Sequence, residues 1–225
     1  MLQTMNGGAR TTIAALLLAA AAETWALTPA QKMRLDAAVL DYDAGRIAAA
    51  RTAFETLARE QVPAALFNLG VMHLRGEMPR PDPAAAELLL RRAAAGGFVT
   101  AMVALARGLE TGAFGARDLA AALRWFELAA QAGSVEAQVE MGTASFLGRG
   151  RPRDAAAAAH WFREAAKGGD VGAMYLLASI YEAGDGLPQD LRLARYWYAL
   201  AASQGDEAAP GKLKAIDEKL AAQPS

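Results

Sequence analysis

Histidine, cysteine and serine are the residues to test first, because most metal sites and nucleophilic centres need them. His73 and His160 are the only two histidines, and they stand at non-equivalent positions. Neither belongs to an HExxH pattern or to a cluster of carboxylates, so neither carries the spacing of a metal site. His73 reads as a packing side chain; His160, just before Trp161, reads as a solvated or half-buried one. There is no cysteine, which excludes thiol catalysis, thiolate zinc and a disulfide framework. The serines form neither GxSxG nor SxxK. Gly148-Arg149-Gly150 and Gly184-Asp185-Gly186 have the look of phosphate loops, but both lack the third glycine and the preceding strand. Gly211-Lys212 lacks the upstream glycine of a P-loop. All three read as turns. No catalytic residue, metal or cofactor is therefore expected, and the chain reads as a non-enzyme. The remaining polar feature is Arg149, Arg151 and Arg153 in one loop, a candidate patch for an acidic partner or a polyanionic glycan.

Composition narrows the partner class. The 225 residues carry Lys+Arg 23 against Asp+Glu 24, for a net charge of -1. That balance supplies no long-range attraction to nucleic acid or to an anionic membrane. Apolar residues make up 54% and aromatic residues only 7%. Alanine supplies about a quarter of the chain, which favours helices whose backbones approach closely. The first 26 residues differ from the rest. Arg10 closes a short positive region, Thr11 to Ala22 is an uncharged apolar run, and Ala20-Ala21-Ala22 and Thr24-Trp25-Ala26 are small-residue cleavage patterns. This is the layout of a secretory signal peptide. The run is about 12 residues, short of the roughly 20 that span a bilayer. Cleavage after Ala26 is favoured, with Ala22 as the other site, and the mature chain is expected in the periplasm or outside the cell with no stable membrane anchor.

The elements that position everything else come from a ruler of 36 residues. Ala65, Ala101, Ala137, Ala173 and Ala209 recur at that spacing, as do Leu69, Leu105, Met141 and Leu177. Gly76, Gly112, Gly148 and Gly184 follow it, then Asp82, Asp118, Asp154 and Asp190, then Ala86, Ala122, Ala158 and Ala194. Alanine pairs from Ala93-Ala94 to Ala201-Ala202, and glycines from Gly97 to Gly205, close each unit. The spacing of Ala137, Met141 and Ala144 predicts a helix over Val135 to Leu147, stopped by Gly148. Asp154 is then the N-cap of a second helix, which carries Trp161-Phe162 and the alanine pair. Small columns set the helix approach, and the Trp and Leu columns fill the remaining volume. The expected organisation is a signal peptide (1–26), a degenerate N-terminal helix pair (27–62), repeats over 63–98, 99–134, 135–170 and 171–206, and a capping helix and tail (207–225). Thr28-Pro29 should open the first pair. Pro210-Gly211 should interrupt the last unit, leaving a charged helix from about Lys212 to Ala222.

At these columns the chain resembles the Sel-one-like repeat (SLR) family, relatives of the tetratricopeptide repeats. The clearest units are Ala65-Leu66-Phe67-Asn68-Leu69-Gly70 with Gly76, Asp82 and Ala93-Ala94, and Leu177, Tyr181, Gly184-Asp185-Gly186, Asp190, Trp197-Tyr198 and Gly205. Departures fall at His73, Leu109 and Ser145, where only Tyr181 keeps the aromatic, and at the Gly115 loop. The resemblance implies an all-α, right-handed superhelical solenoid of antiparallel helix pairs that serves as an interaction scaffold. It also implies that the first helix of each pair lines the concave side. There the column Phe67, Val103, Val139 and Tyr175 runs beside Val71, Arg107, Thr143 and Ser179, and beside Leu74, Glu110, Phe146 and Glu182. Apolar anchors with varied polar neighbours are what a peptide-binding groove needs; packing between adjacent helices is the competing role for the same column. The leading functional reading is a protein-binding module regulating a signalling or envelope protein. A glycan-associated envelope enzyme or accessory, and a secreted factor acting on a host protein, are the alternatives.

Overall fold

The computed structural model describes residues 27–222. The expected signal peptide lies outside the described residues. Helix α1 (Pro29–Asp43) begins as its first residues dictate. The Thr28 hydroxyl accepts from the Gln31 amide at 3.1 Å, and the Gln31 side chain accepts from the Thr28 amide at 3.0 Å. This reciprocal pairing satisfies donors that have no partner within the helix. Helix α2 (Ile47–Arg59) follows and packs against it.

Four pairs come next: α3 (Pro63–Leu74) with α4 (Pro83–Ala95), α5 (Val99–Thr111) with α6 (Leu119–Gln131), α7 (Val135–Leu147) with α8 (Ala155–Lys167), and α9 (Val171–Ala183) with α10 (Leu191–Ser203). Asp82, Asp118, Asp154 and Asp190 cap the second helices, each carboxylate accepting first-turn amides at 2.8–3.0 Å. Gly148 and Gly184 end α7 and α9 in the left-handed conformation, at φ 71 and 70. Helix α11 (Ala209–Ala221) closes the described chain. Here the expectation from Pro210-Gly211 is corrected. Proline sits in the first turn of α11, where its missing N–H has no intrahelical partner to lose, so it starts the helix instead of interrupting it.

The same aspartates close the inter-helix loops. Asp118, Asp154 and Asp190 donate their backbone N–H to the carbonyls of Leu109, Ser145 and Tyr181, at 2.9, 2.8 and 3.0 Å. In the first repeat the Asp82 N–H goes to Nδ1 of His73 instead, at 3.1 Å. His73 therefore does more than pack: its ring stands in for a backbone carbonyl.

The core is built from the small columns and one aromatic column. Ala65, Ala101, Ala137, Ala173 and Ala209 are fully buried, and so are Ala86, Ala122, Ala158 and Ala194. Of each aromatic pair it is the second member that fills the core. Phe126, Phe162 and Tyr198 are buried, while Trp125, Trp161 and Trp197 are only half-buried. That corrects the assignment of the Trp column to core filling. The facing position is small for a reason. A Cβ on Gly142 would stand 2.6 Å from the Phe162 ring, so glycine is what lets α8 approach α7 there.

The chain divides into two compact units, the first running to Ala101 and the second starting at Met102. In the first, α1 to α4 pack in sequence, each against the next. In the second, α6 to α11 do the same. Its core includes Phe162, Leu177, Tyr198 and Ile216, so α11 is packed into the array and not merely appended to it.

Candidate protein-binding face

The first-helix columns occupy an intermediate position between core and solvent. Phe67, Val103, Val139 and Tyr175 are all half-buried, as are Val71, Arg107, Thr143 and Ser179. In the third column Glu110, Phe146 and Glu182 are half-buried and Leu74 is exposed. In the first unit Phe67 meets Phe98 edge-on, with ring centroids 5.4 Å apart. In the second, Tyr175 meets Tyr198 edge-on at 5.1 Å, and Val139, Phe146 and Tyr175 lean on the core. Ser179 donates its hydroxyl to the Leu176 carbonyl of its own helix at 2.7 Å.

The charges on this face are fixed by ion pairs. Arg107 on α5 reaches Glu140 at 2.7 Å and Glu136 at 3.1 Å on α7, and Glu110 at 3.4 Å on its own helix. Its guanidinium lies over the Phe126 ring, 5.3 Å from the centroid. Burial disfavours the Arg107 charge, but hydrogen bonds from it to Glu140 and then Glu136 outweigh that and raise its pKa. Arg149 completes the network, with Nη1 2.7 Å from Glu110 and Nη2 2.6 Å from Glu140.

Arg149 thereby leaves the loop patch proposed for it. A long side chain carries its charge away from the loop and onto the first-helix face. Arg153 pairs with Asp185 and covers the Phe146 ring at 5.4 Å from the centroid. Arg151 stays beside Pro152 and Asp154 at the rim of a shallow hollow. Arg153 lines the same hollow, so Arg149 alone leaves the loop, and the charge of Arg153 is paired with Asp185. The neighbouring glycines are there for close approach: a Cβ on Gly150 would stand 2.9 Å from Leu119 and Leu123, and one on Gly186 2.7 Å from Ala155.

A second cluster lies at the far end of the second unit. Glu182 accepts from Lys212 at 3.0 Å, from Lys219 at 2.8 Å and from the Tyr198 hydroxyl at 3.0 Å. Burial pushes the Glu182 carboxyl up, but the hydrogen bonds from Lys219, Lys212 and Tyr198 prevail and bring it from 4.5 to about 2. Tyr198 is shifted the opposite way, upward, first by burial and then by the carboxylate it serves. Sequence reading missed Glu136, Glu140, Lys212, Lys219 and Tyr198 as part of this face. One signal was present: Glu136 and Glu140 are four apart on one helix, a spacing that puts two carboxylates on the same side.

Among the described residues no group of His, Cys, Asp and Glu is placed to hold a metal ion, and no helix is long and apolar enough to cross a membrane. The Sel1 repeat model matches residues 63–98, 99–134, 135–170 and 171–206. Among solved structures the chain is similar to a Sel1 repeat protein from Oxalobacter formigenes, with 27% identity and a TM-score of 0.67, covering 80% of this chain and 73% of that one. It is also similar to c5321, described as a protective antigen of uropathogenic Escherichia coli displaying an SLR fold, with 29% identity and a TM-score of 0.72. That match covers 88% of this chain but 42% of the antigen, so this chain spans less than half the antigen's length. Comparison with curated proteins found no match. Sel1 repeat proteins are generally non-catalytic scaffolds for protein–protein interaction. With four matched repeats and the helix-pair architecture of these relatives, the chain belongs to the Sel1 repeat family and has its all-α solenoid fold.

Proposed function

We propose that this chain is a non-enzymatic scaffold, exported to the periplasm or beyond, that binds a protein or peptide segment on its first-helix face and so regulates a signalling or envelope protein. The observation that carries this reading is the half-buried column Val103, Val139 and Tyr175 on α5, α7 and α9, with fixed charges beside it. A side chain that rests on the core and keeps one side open offers an apolar anchor at little entropic cost. Charges already held by neighbours supply selection without having to be ordered on binding. Phe67 holds the equivalent repeat position in the first unit, where its ring packs edge-on against Phe98.

The test is affinity capture from periplasmic extract, comparing Tyr175→Ala with Arg151→Ala. Recovered partner should fall about tenfold or more for Tyr175→Ala, since buried aromatic anchors dominate interface energies. It should be unchanged for Arg151→Ala. The reverse pattern would return the site to the loop. Export is checked separately by intact mass, which should show loss of residues 1–26 or 1–22; full-length cytosolic protein would refute it.

A further inference from the structure

The cluster around Glu182 borders a cavity of about 430 Å³ between the end of α7, α9 and α11. Phe146 and Ala183 supply its apolar surface, Ile180 being almost wholly buried in the core, and Ser179, Glu182, Lys212 and Lys219 its polar surface. Its charges do not cancel. Asp185 at the edge is taken by Arg153, which among the described residues leaves two ammonium groups sharing the single Glu182 carboxylate. Each ammonium has three donors, and each spends one on Glu182. The cavity therefore holds one uncompensated positive charge next to apolar surface, and it continues the column of Phe146 and Glu182.

We propose that this cavity is a subsite for an acidic side chain of a bound peptide, an aspartate or glutamate beside an aliphatic residue, whose carboxylate takes the free donors of Lys212 and Lys219 while its neighbour rests on Phe146 and Ala183. Charge complementarity selects this occupant: a basic side chain would meet two ammonium groups, and a purely apolar one would leave one of the two positive charges uncompensated. This deepens the proposed function and rests on the first-helix face being the binding face. In the unliganded protein Glu182 acts as an internal stand-in for the ligand's carboxylate. A Glu182→Gln variant should therefore bind an acidic peptide better, although it removes an ion pair from the protein itself.

The experiment selects random displayed peptides on the full chain and measures one acidic binder and its amide counterpart, in which the acidic residue becomes Asn or Gln. Selected peptides should share an acidic residue next to an aliphatic one, and the amide counterpart should bind about tenfold more weakly. Lys212→Gln and Lys219→Gln should lose a similar factor for the acidic peptide only. Glu182→Gln should gain affinity for it, which loss of structure cannot mimic. If Glu182→Gln weakens the acidic peptide as the lysine variants do, the cluster only holds α11 in place and the proposal fails. Peptides that depend on Tyr175 but ignore Lys212, Lys219 and Glu182 would also overturn the subsite, while leaving the first-helix face standing. A selection that enriches nothing overturns both.

Discussion

Glu110 and Glu182 hold the same position two repeats apart, and the chain uses them differently. Glu110 sits in a network of three carboxylates and two guanidiniums, where Arg107 and Arg149 each also contact Glu140. Among the described residues Glu182 is the only carboxylate serving Lys212, Lys219 and the Tyr198 hydroxyl. The ring beneath each cluster differs in the same sense. Phe126 offers Arg107 only the face of its ring, whereas Tyr198 offers its face to Lys212, 6.0 Å from the centroid, and a hydroxyl to Glu182 as well. One cluster is redundant and carries surplus negative charge; the other depends on one residue and carries surplus positive charge. A repeat position therefore specifies location and burial, while its chemistry is set by what the neighbouring repeat or cap brings to it.

The largest effect should come from removing the ring under the redundant cluster. Phe126→Ala leaves a cavity in the core and should cost about 3–5 kcal/mol in unfolding free energy, measured by denaturant titration. A cost near that of a surface substitution would mean that the ion pairs, and not the packing below them, hold α5 to α7. Next is Glu182→Gln, which removes the only carboxylate from three donors and should cost about 1–2 kcal/mol. Because the Glu182 pKa is lowered on folding, its contribution is complete above the unfolded value of 4.5 and is lost as pH falls toward about 2. The stability difference between wild type and Glu182→Gln should accordingly shrink across that window; a difference that grew on acidification would contradict the assignment. Smallest is Glu110→Gln. Glu140 remains to hold both arginines, so the cost should stay below about 0.5 kcal/mol. Equal costs at Glu110 and Glu182 would erase the contrast.

Local structure was legible in the sequence to the residue in places. Val135 and Leu147 bound α7 as the periodicity predicted, and Asp154 caps α8. Such features depend on neighbours within a few residues, which the sequence states directly. The errors share a different cause. Pro210 was read by its interior cost when it occupies a first turn. The Trp column is expected to fill the core, yet the helix phase turns Phe162 inward against Gly142 and leaves Trp161 half-buried. The direction of Arg149 could not be seen, because a long side chain chooses among carboxylates brought near by packing between repeats. His73 was noticed, but its bond to the Asp82 amide is a loop closure that no spacing rule describes.

The central claim, that partners bind on the first-helix face, is most directly tested by site-specific photocrosslinking. A crosslinking side chain is placed at Val139 on the proposed face, and in a second protein at His160, which is exposed on the second helix of the same repeat. The account predicts that the partner recovered by affinity capture crosslinks through position 139 and not through position 160. Crosslinking through position 160 alone would contradict it and move the binding surface to the second helices.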